Sequence, residues 1–229
     1  MFKINPKILF KHVIFYCSCL LLTFLLKNSL QIVFVCLLEI PYTIEKYSLS
    51  FPIDTPKWSI GALIFIFFGW IIVFFLFAIR VLFKSKHIDK LPIEFHILLK
   101  AYLFISLWNI MIGDVIGGLT FNYGLGFLTS WLYWSDTIEL LVSFFMFFLI
   151  PVGVMVFKHY ITKTNTRYQH QNRYKKKLRF EKHAYYSTLL INIPLAYYIY
   201  YFLFPPWIFS LLSVQLFSYI LFKERKSII

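Results

Sequence analysis

Long apolar runs alternate with short polar stretches along the whole chain. Five runs, 59–79, 98–119, 137–157, 185–204 and 206–222, meet or approach the length of about 20 mostly apolar residues that a helix needs to cross a bilayer. An earlier run covers 8–40, and Lys27 and Asn28 interrupt it. It is too long for one perpendicular helix and too short for two. The simplest reading is a first span over about 8–27, with Lys27 snorkelling outward along its own stem. The segment 30–40 then lies in the outer interface or dips partly back, and a single long tilted helix is the alternative. Either way the run crosses once. The pattern therefore predicts an all-α fold: one domain, a polytopic integral membrane bundle of six transmembrane helices. Pro151 and Pro194 should kink the fourth and fifth spans, a common device where a bundle opens a cavity.

Charge fixes the direction of these spans. Lys3, Lys7 and Lys11 lie in the N-terminal tail and at the start of the first, and Arg80, Lys84, Lys86 and Lys90 follow the second, with Lys100 just inside the third. A basic loop, 158–184, follows the fourth, and Lys223, Arg225 and Lys226 follow the last. Together these segments hold all but three of the 23 Lys and Arg: Lys27 lies within the first run, and only Lys46 and Lys57 fall on the other side. The positive-inside rule then places both ends in the cytoplasm, N-in and C-in. Trp58, Trp131, Trp134 and Trp207 fall at outer span ends, where an amphipathic indole settles. All six His fall at the cytoplasmic edge and read as solvated or facing headgroups. The first run lacks a small-residue cleavage site and reads as an uncleaved span rather than a signal peptide.

Composition agrees with the bilayer as solvent. The chain is 60% hydrophobic and 14% charged, where soluble domains are about half apolar and about a quarter charged. A bacterial cytoplasmic (inner) membrane is the expected location, and an organelle membrane fits as well. The net charge of +13 sits in short segments tethered at one membrane face, which argues against nucleic acid as partner. Cys17, Cys19 and Cys36 form no C-x-x-C pair and read as buried apolar thiols. The H-E-x-x-H of a zinc protease, a G-x-S-x-G nucleophile turn, a membrane Asp pair and a phosphate-cradling Gly loop are all missing from the sequence. No metal or cofactor is expected.

Three features stand out from this background. Asp114 lies inside the third span, where an ionised side chain costs roughly 2.5–3.5 kcal/mol on insertion scales. Gly113 and Gly117 form a G-x-x-x-G, and Gly117 and Gly118 share the face of Asp114, so carboxylate and close-packing surface should both point into the bundle. Asn109 lies about 140° around the same helix and should serve a different neighbour. Asp136 and Glu139 open the fourth span on one face, and Glu39 ends the first apolar region. With Asp114 they gather four carboxylates at the outer side, around a 119–135 loop made pliable by Gly124 and Gly126, a mouth for a cation or basic peptide. Finally, Arg173, Lys175, Lys176, Lys177 and Arg179 in the basic loop suit anionic lipid or a cytosolic partner protein.

These features make Asp114, Asn109, Asp136 and Glu139 the candidate substrate or ion site. The expected function is a non-enzymatic membrane subunit, permease-like or partner-binding, within a larger transport system. Membrane lipids are its expected contacts, and a homo-oligomer is compatible with the sequence. One alternative is a membrane sensor or immunity protein signalling to a cytosolic partner. Another is an integral-membrane enzyme acting on a lipid-linked substrate at the outer face through Asp114, Asp136 or Glu139.

Overall fold

The structure is a computed structural model and describes residues 5–45, 48–50, 58–83, 93–121, 125–165, 173–202 and 207–223. Among the described residues seven helices run in the order α1 (Pro6–Leu37), α2 (Ile60–Phe83), α3 (Ile93–Thr120), α4 (Leu125–Trp131), α5 (Asp136–Asn165), α6 (Arg173–Phe202) and α7 (Trp207–Lys223). A two-stranded antiparallel hairpin, β1 (Thr43–Glu45) with β2 (Ser48–Ser50), lies between α1 and α2, pairing Thr43 with Ser50. Helices α1, α2, α3 and α5 contain segments long and apolar enough to cross a membrane, and α7 is a shorter apolar helix. Large apolar side chains such as Phe10, Leu76, Leu140 and Phe145 stand exposed around the bundle. Exposed apolar surface on that scale is foreign to a soluble monomer and suits a protein bathed in lipid.

The helix ends follow from local chemistry. Asn5 caps α1 by accepting from the Lys7 amide at 3.0 Å, with Pro6 at the first helical position. Ser59 caps α2 by accepting from the Ala62 amide at 3.2 Å. Trp58 and Leu63 are buried in one apolar cluster on either side of that cap, the arrangement of a hydrophobic staple. The indole of Trp58 thus packs inward rather than sitting among headgroups.

Helix α1 runs unbroken for 32 residues, which matches the single long helix held as the alternative and not a helix that stops near residue 27. It ends in a Schellman motif: the Ile40 amide donates to the Val35 carbonyl at 3.2 Å and the Glu39 amide to the Cys36 carbonyl at 3.1 Å. Glu39 accordingly has φ 53°. A side chain there costs roughly 1–2 kcal/mol in the left-handed region. Glu39→Gly should therefore raise stability by about 1 kcal/mol, read as a higher midpoint in thermal unfolding of the purified protein; an unchanged or lower midpoint would mean that the carboxylate itself holds this turn.

Helix α3 is the axis of the molecule. From Ala101 to Leu119 every residue is buried except Asp114, which is partly so. It packs against α1, α2, α4, α5 and α7, while α6 closes the bundle against α1 and α7. Aromatic rings fill the seam between α3, α5 and α7: Phe104 stacks on Phe157 at 5.8 Å between centroids and on Trp108 at 5.5 Å. Trp108 donates its indole N–H to the Leu149 carbonyl at 3.0 Å, and Gly153 leaves the space that the indole occupies. Both α5 and α6 continue through their prolines.

Two segments expected to be loops are partly helical. Residues 125–131 form α4, and a Cβ at Gly126 would strike the Gly118 carbonyl, so this glycine serves close packing and not pliability. Of the basic stretch 158–184, residues up to 165 prolong α5 and those from 173 begin α6.

Candidate functional site

Helix α1 buries its polar side and exposes its apolar one. His12, Tyr16, Cys19, Thr23, Lys27 and Gln31 are all buried. Their spacing of three or four residues keeps them on one face, and that face looks into the bundle. The stripe from His12 to Gln31 extends about 28 Å along the helix, close to the roughly 30 Å of a hydrocarbon core. Leu21, Leu22, Leu25 and Val33 form the exposed face.

The His12 end of the stripe finds partners on both α3 and α6. The His12 Nδ1 lies 2.7 Å from the Tyr102 hydroxyl, which in turn lies 2.9 Å from the Ser187 hydroxyl. The His12 ring also packs against Phe180 and His183, at 5.3 and 5.5 Å between centroids. His12 and His183 are therefore buried among aromatic rings, not solvated at a headgroup surface; for His12 the Tyr102 hydroxyl, itself bonded to Ser187, makes that burial tolerable. One turn further along α1, the Tyr16 hydroxyl donates to the Asn192 side-chain oxygen, and the Asn192 amide donates to the Leu211 carbonyl at 3.1 Å. Thr23 satisfies its own hydroxyl on the carbonyls of Cys19 and Leu20.

Lys27 and Asp114 form the centre of the site. The ammonium of Lys27 donates to one carboxylate oxygen of Asp114, and its side chain is only 2% exposed. Lys27 thus turns inward rather than snorkelling to the interface. The reason is its place on the polar stripe: outward it would meet lipid, whereas inward it meets an opposite charge and the Trp70 ring, 5.2 Å away. A cavity of about 670 Å³ opens beside this pair. Helices α1 and α6 form its walls and α3 and α7 its floor, where Asp114 and Ser210 sit. The lining is otherwise almost wholly apolar, and Phe24 and Trp207 meet edge to face at 4.4 Å on its rim.

The other candidate residues do not line this cavity. Asn109 is buried and donates to the Ile105 carbonyl at 2.7 Å, while its side-chain oxygen has no hydrogen-bond partner among the described residues. Asp136 and Glu139 occupy the first turn of α5, where carboxylates stabilise the positive helix terminus. Glu139 also accepts from the Thr129 hydroxyl of α4. Glu39 belongs to the turn that ends α1. Among the described residues no three His, Cys, Asp or Glu side chains are grouped so as to hold a metal ion. Gly113 abuts the backbone of Ser210 on α7, whereas Gly118 meets α4, so these glycines serve two seams. Gly117 is buried on α3 and its carbonyl accepts from the Phe121 amide at 3.1 Å. Arg173, Lys175, Lys176, Lys177 and Arg179 lie on the first turns of α6; their side chains, like Gly124, fall outside the described residues. Of the cysteines, Cys19 is buried, Cys17 partly so and Cys36 exposed.

Sequence reasoning singled out Asp114 but missed Lys27, His12, Tyr16, Tyr102 and Asn192. The signal was present in the spacing of the polar residues of α1, which share one face from 12 to 31. Compared with known proteins, the chain matches no protein family, no curated protein and no solved structure.

Proposed function

We propose that the chain crosses the bilayer six times, with both ends in the cytoplasm, and serves as a non-enzymatic, permease-like membrane subunit of a larger system. In this reading α6 and α7 complete the set of spans and α4 is a short helix at the outer side. The observation that carries the proposal is the buried polar stripe of α1, which runs nearly the depth of a hydrocarbon core and contains the Lys27–Asp114 pair. Intramembrane charges mark pathways and binding sites because lipid makes them costly elsewhere. Binding is favoured over acid–base catalysis by the engagement of Asp114 with Lys27 and of Glu139 with Thr129. The basic start of α6 would lie at the cytoplasmic face, suited to anionic lipid and to a cytosolic partner that supplies energy or signal.

Two measurements test this reading. Reporter fusions after Lys86, after Arg173 and at Ile229 should report cytoplasm, and fusions near Asp54 and Gly126 the outside; a cytoplasmic signal at Gly126 would sink the six-span arrangement. In a chain freed of its native cysteines, Thr23→Cys and Gln31→Cys should react with a small charged thiol reagent in intact cells, because a permease wets its interior. Leu22→Cys and Val33→Cys, on the lipid face, should not. Equal inertness at all four positions would make the stripe dry packing and remove the permease-like reading.

A further inference from the structure

The cavity beside Lys27–Asp114 opens sideways. Its rim includes Leu21 on α1 and Leu190 and Tyr198 on α6, each at least half exposed. If α1 and α6 both cross the bilayer, as proposed above, that opening faces acyl chains and not water. At about 670 Å³, it falls within the range of about 300–1,000 Å³ typical of small-molecule sites. Its apolar walls call for a hydrocarbon chain.

The floor specifies what the chain carries at its end. One oxygen of Asp114 accepts from Lys27, and the carboxylate makes no other contact among the described residues, which leaves its second oxygen as an acceptor at the cavity floor. Pro194 has no N–H to give the Leu190 carbonyl, one turn earlier on the cavity wall. Lys27 is already engaged by Asp114 on one side and the Trp70 ring on the other. Two of the open groups are thus acceptors, and the Ser210 hydroxyl beside them can donate or accept; together they call for a head group that donates and also accepts, as a hydroxyl does. Charge narrows the choice further. Lys27 and Asp114 neutralise each other, so an ionised head group would bring an uncompensated charge between almost wholly apolar walls. An anionic head would have to compete with Asp114, and a cationic one with Lys27.

We propose that this groove binds an uncharged single-chain amphiphile, a long hydrocarbon chain ending in a hydroxyl group, which enters sideways from the bilayer and donates its hydroxyl to Asp114. The site is then selective by head-group charge. The identity rests on the six-span reading only for the route of entry; the chemistry of the floor is independent of it.

The test uses the full chain purified in detergent and three photoreactive probes of equal chain length: hexadecanol, palmitic acid and hexadecylamine, each carrying a diazirine in the chain. Hexadecanol should label peptides of α1 and α6, and unlabelled hexadecanol should compete at least about tenfold better than the acid or the amine. Leu195→Trp, which fills the groove, should abolish the label. Asp114→Asn leaves Lys27 without its counter-charge, so the acid should overtake the alcohol. Labelling of the unaltered protein by acid or amine as strongly as by alcohol would overturn the proposal, and so would a label that survives Leu195→Trp. The ranking of the three probes on the unaltered protein decides the matter even where a variant fails to fold. A failure of the six-span reading would appear elsewhere, in a cytoplasmic Gly126 fusion, with the probe ranking in detergent unchanged.

Discussion

Asp114→Leu should destabilise the protein by about 3–5 kcal/mol, and the double variant Lys27→Met/Asp114→Leu should recover most of that loss. The single change leaves the Lys27 ammonium, with its side chain 2% exposed, facing apolar side chains and no anion. That charge must lose its proton or be dragged toward water, and either outcome opposes the packing of α1 on α3. Removing both partners deletes the charge problem together with the attraction, and well-packed apolar replacements of buried ion pairs are often neutral or better. Asp114→Asn should fall between, because its amide oxygen still accepts from Lys27 but offers no counter-charge. The measurement is a double-mutant cycle of unfolding midpoints in detergent. Strictly additive effects would mean that the two side chains do not act as a pair.

Gly113→Leu should separate α3 from α7 and prevent a stable fold. A single Cβ at position 113 would already overlap the Ser210 backbone and come within 2.7 Å of the Phe209 carbonyl carbon. Those are backbone atoms of a neighbouring helix, so no side chain can swing aside to make room. Even Gly113→Ala should cost more than the roughly 1–3 kcal/mol of ordinary overpacking, since whole helices must shift. Two other glycines calibrate the result. At Gly69 the obstacle is the ring of Phe34, 3.0 Å away, which can rotate, so Ala should be mildly harmful. At Gly61 only the Ser59 hydroxyl lies near, at 3.8 Å, so Ala should be neutral. Expression and thermal unfolding of the three Ala variants should rank in that order. A tolerated Gly113→Ala would mean that α3 and α7 cross less closely.

What could be read from the sequence tracks how physical information is distributed along it. The spans in α2, α3 and α5 were legible because uninterrupted apolar stretches have few other uses. The extent of α1 was left between two readings, because Lys27 and Asn28 look like an interruption in a linear reading, and Lys27 joins a stripe only when the chain is wound at 3.6 residues per turn. The helical start of α6 was hidden for the opposite reason: Arg173 to Lys182 have no apolar periodicity to betray a helix, which continues there from the packed part of α6. Asp114 was conspicuous as a charge among apolar residues. Its partner was not, since 87 residues separate them and only the folded bundle brings α1 to α3. The same holds for Tyr16 and Asn192, 176 residues apart.

The polar stripe of α1 also has a consequence for how the chain is made. Helix α1 precedes α3 and α6, yet His12, Tyr16 and Lys27 depend on those two helices for Tyr102, Asn192 and Asp114. Until α3 is synthesised and inserted, α1 has no counter-ion for Lys27, whose placement at a helix centre costs roughly 2.5–3.5 kcal/mol on its own. The nascent first helix is therefore expected to stay beside the insertion machinery longer than a wholly apolar span would, until α3 brings the counter-ion. A ribosome-stalled chain ending after α2 should remain crosslinked to that machinery through α1, and one extended past α3 should let go.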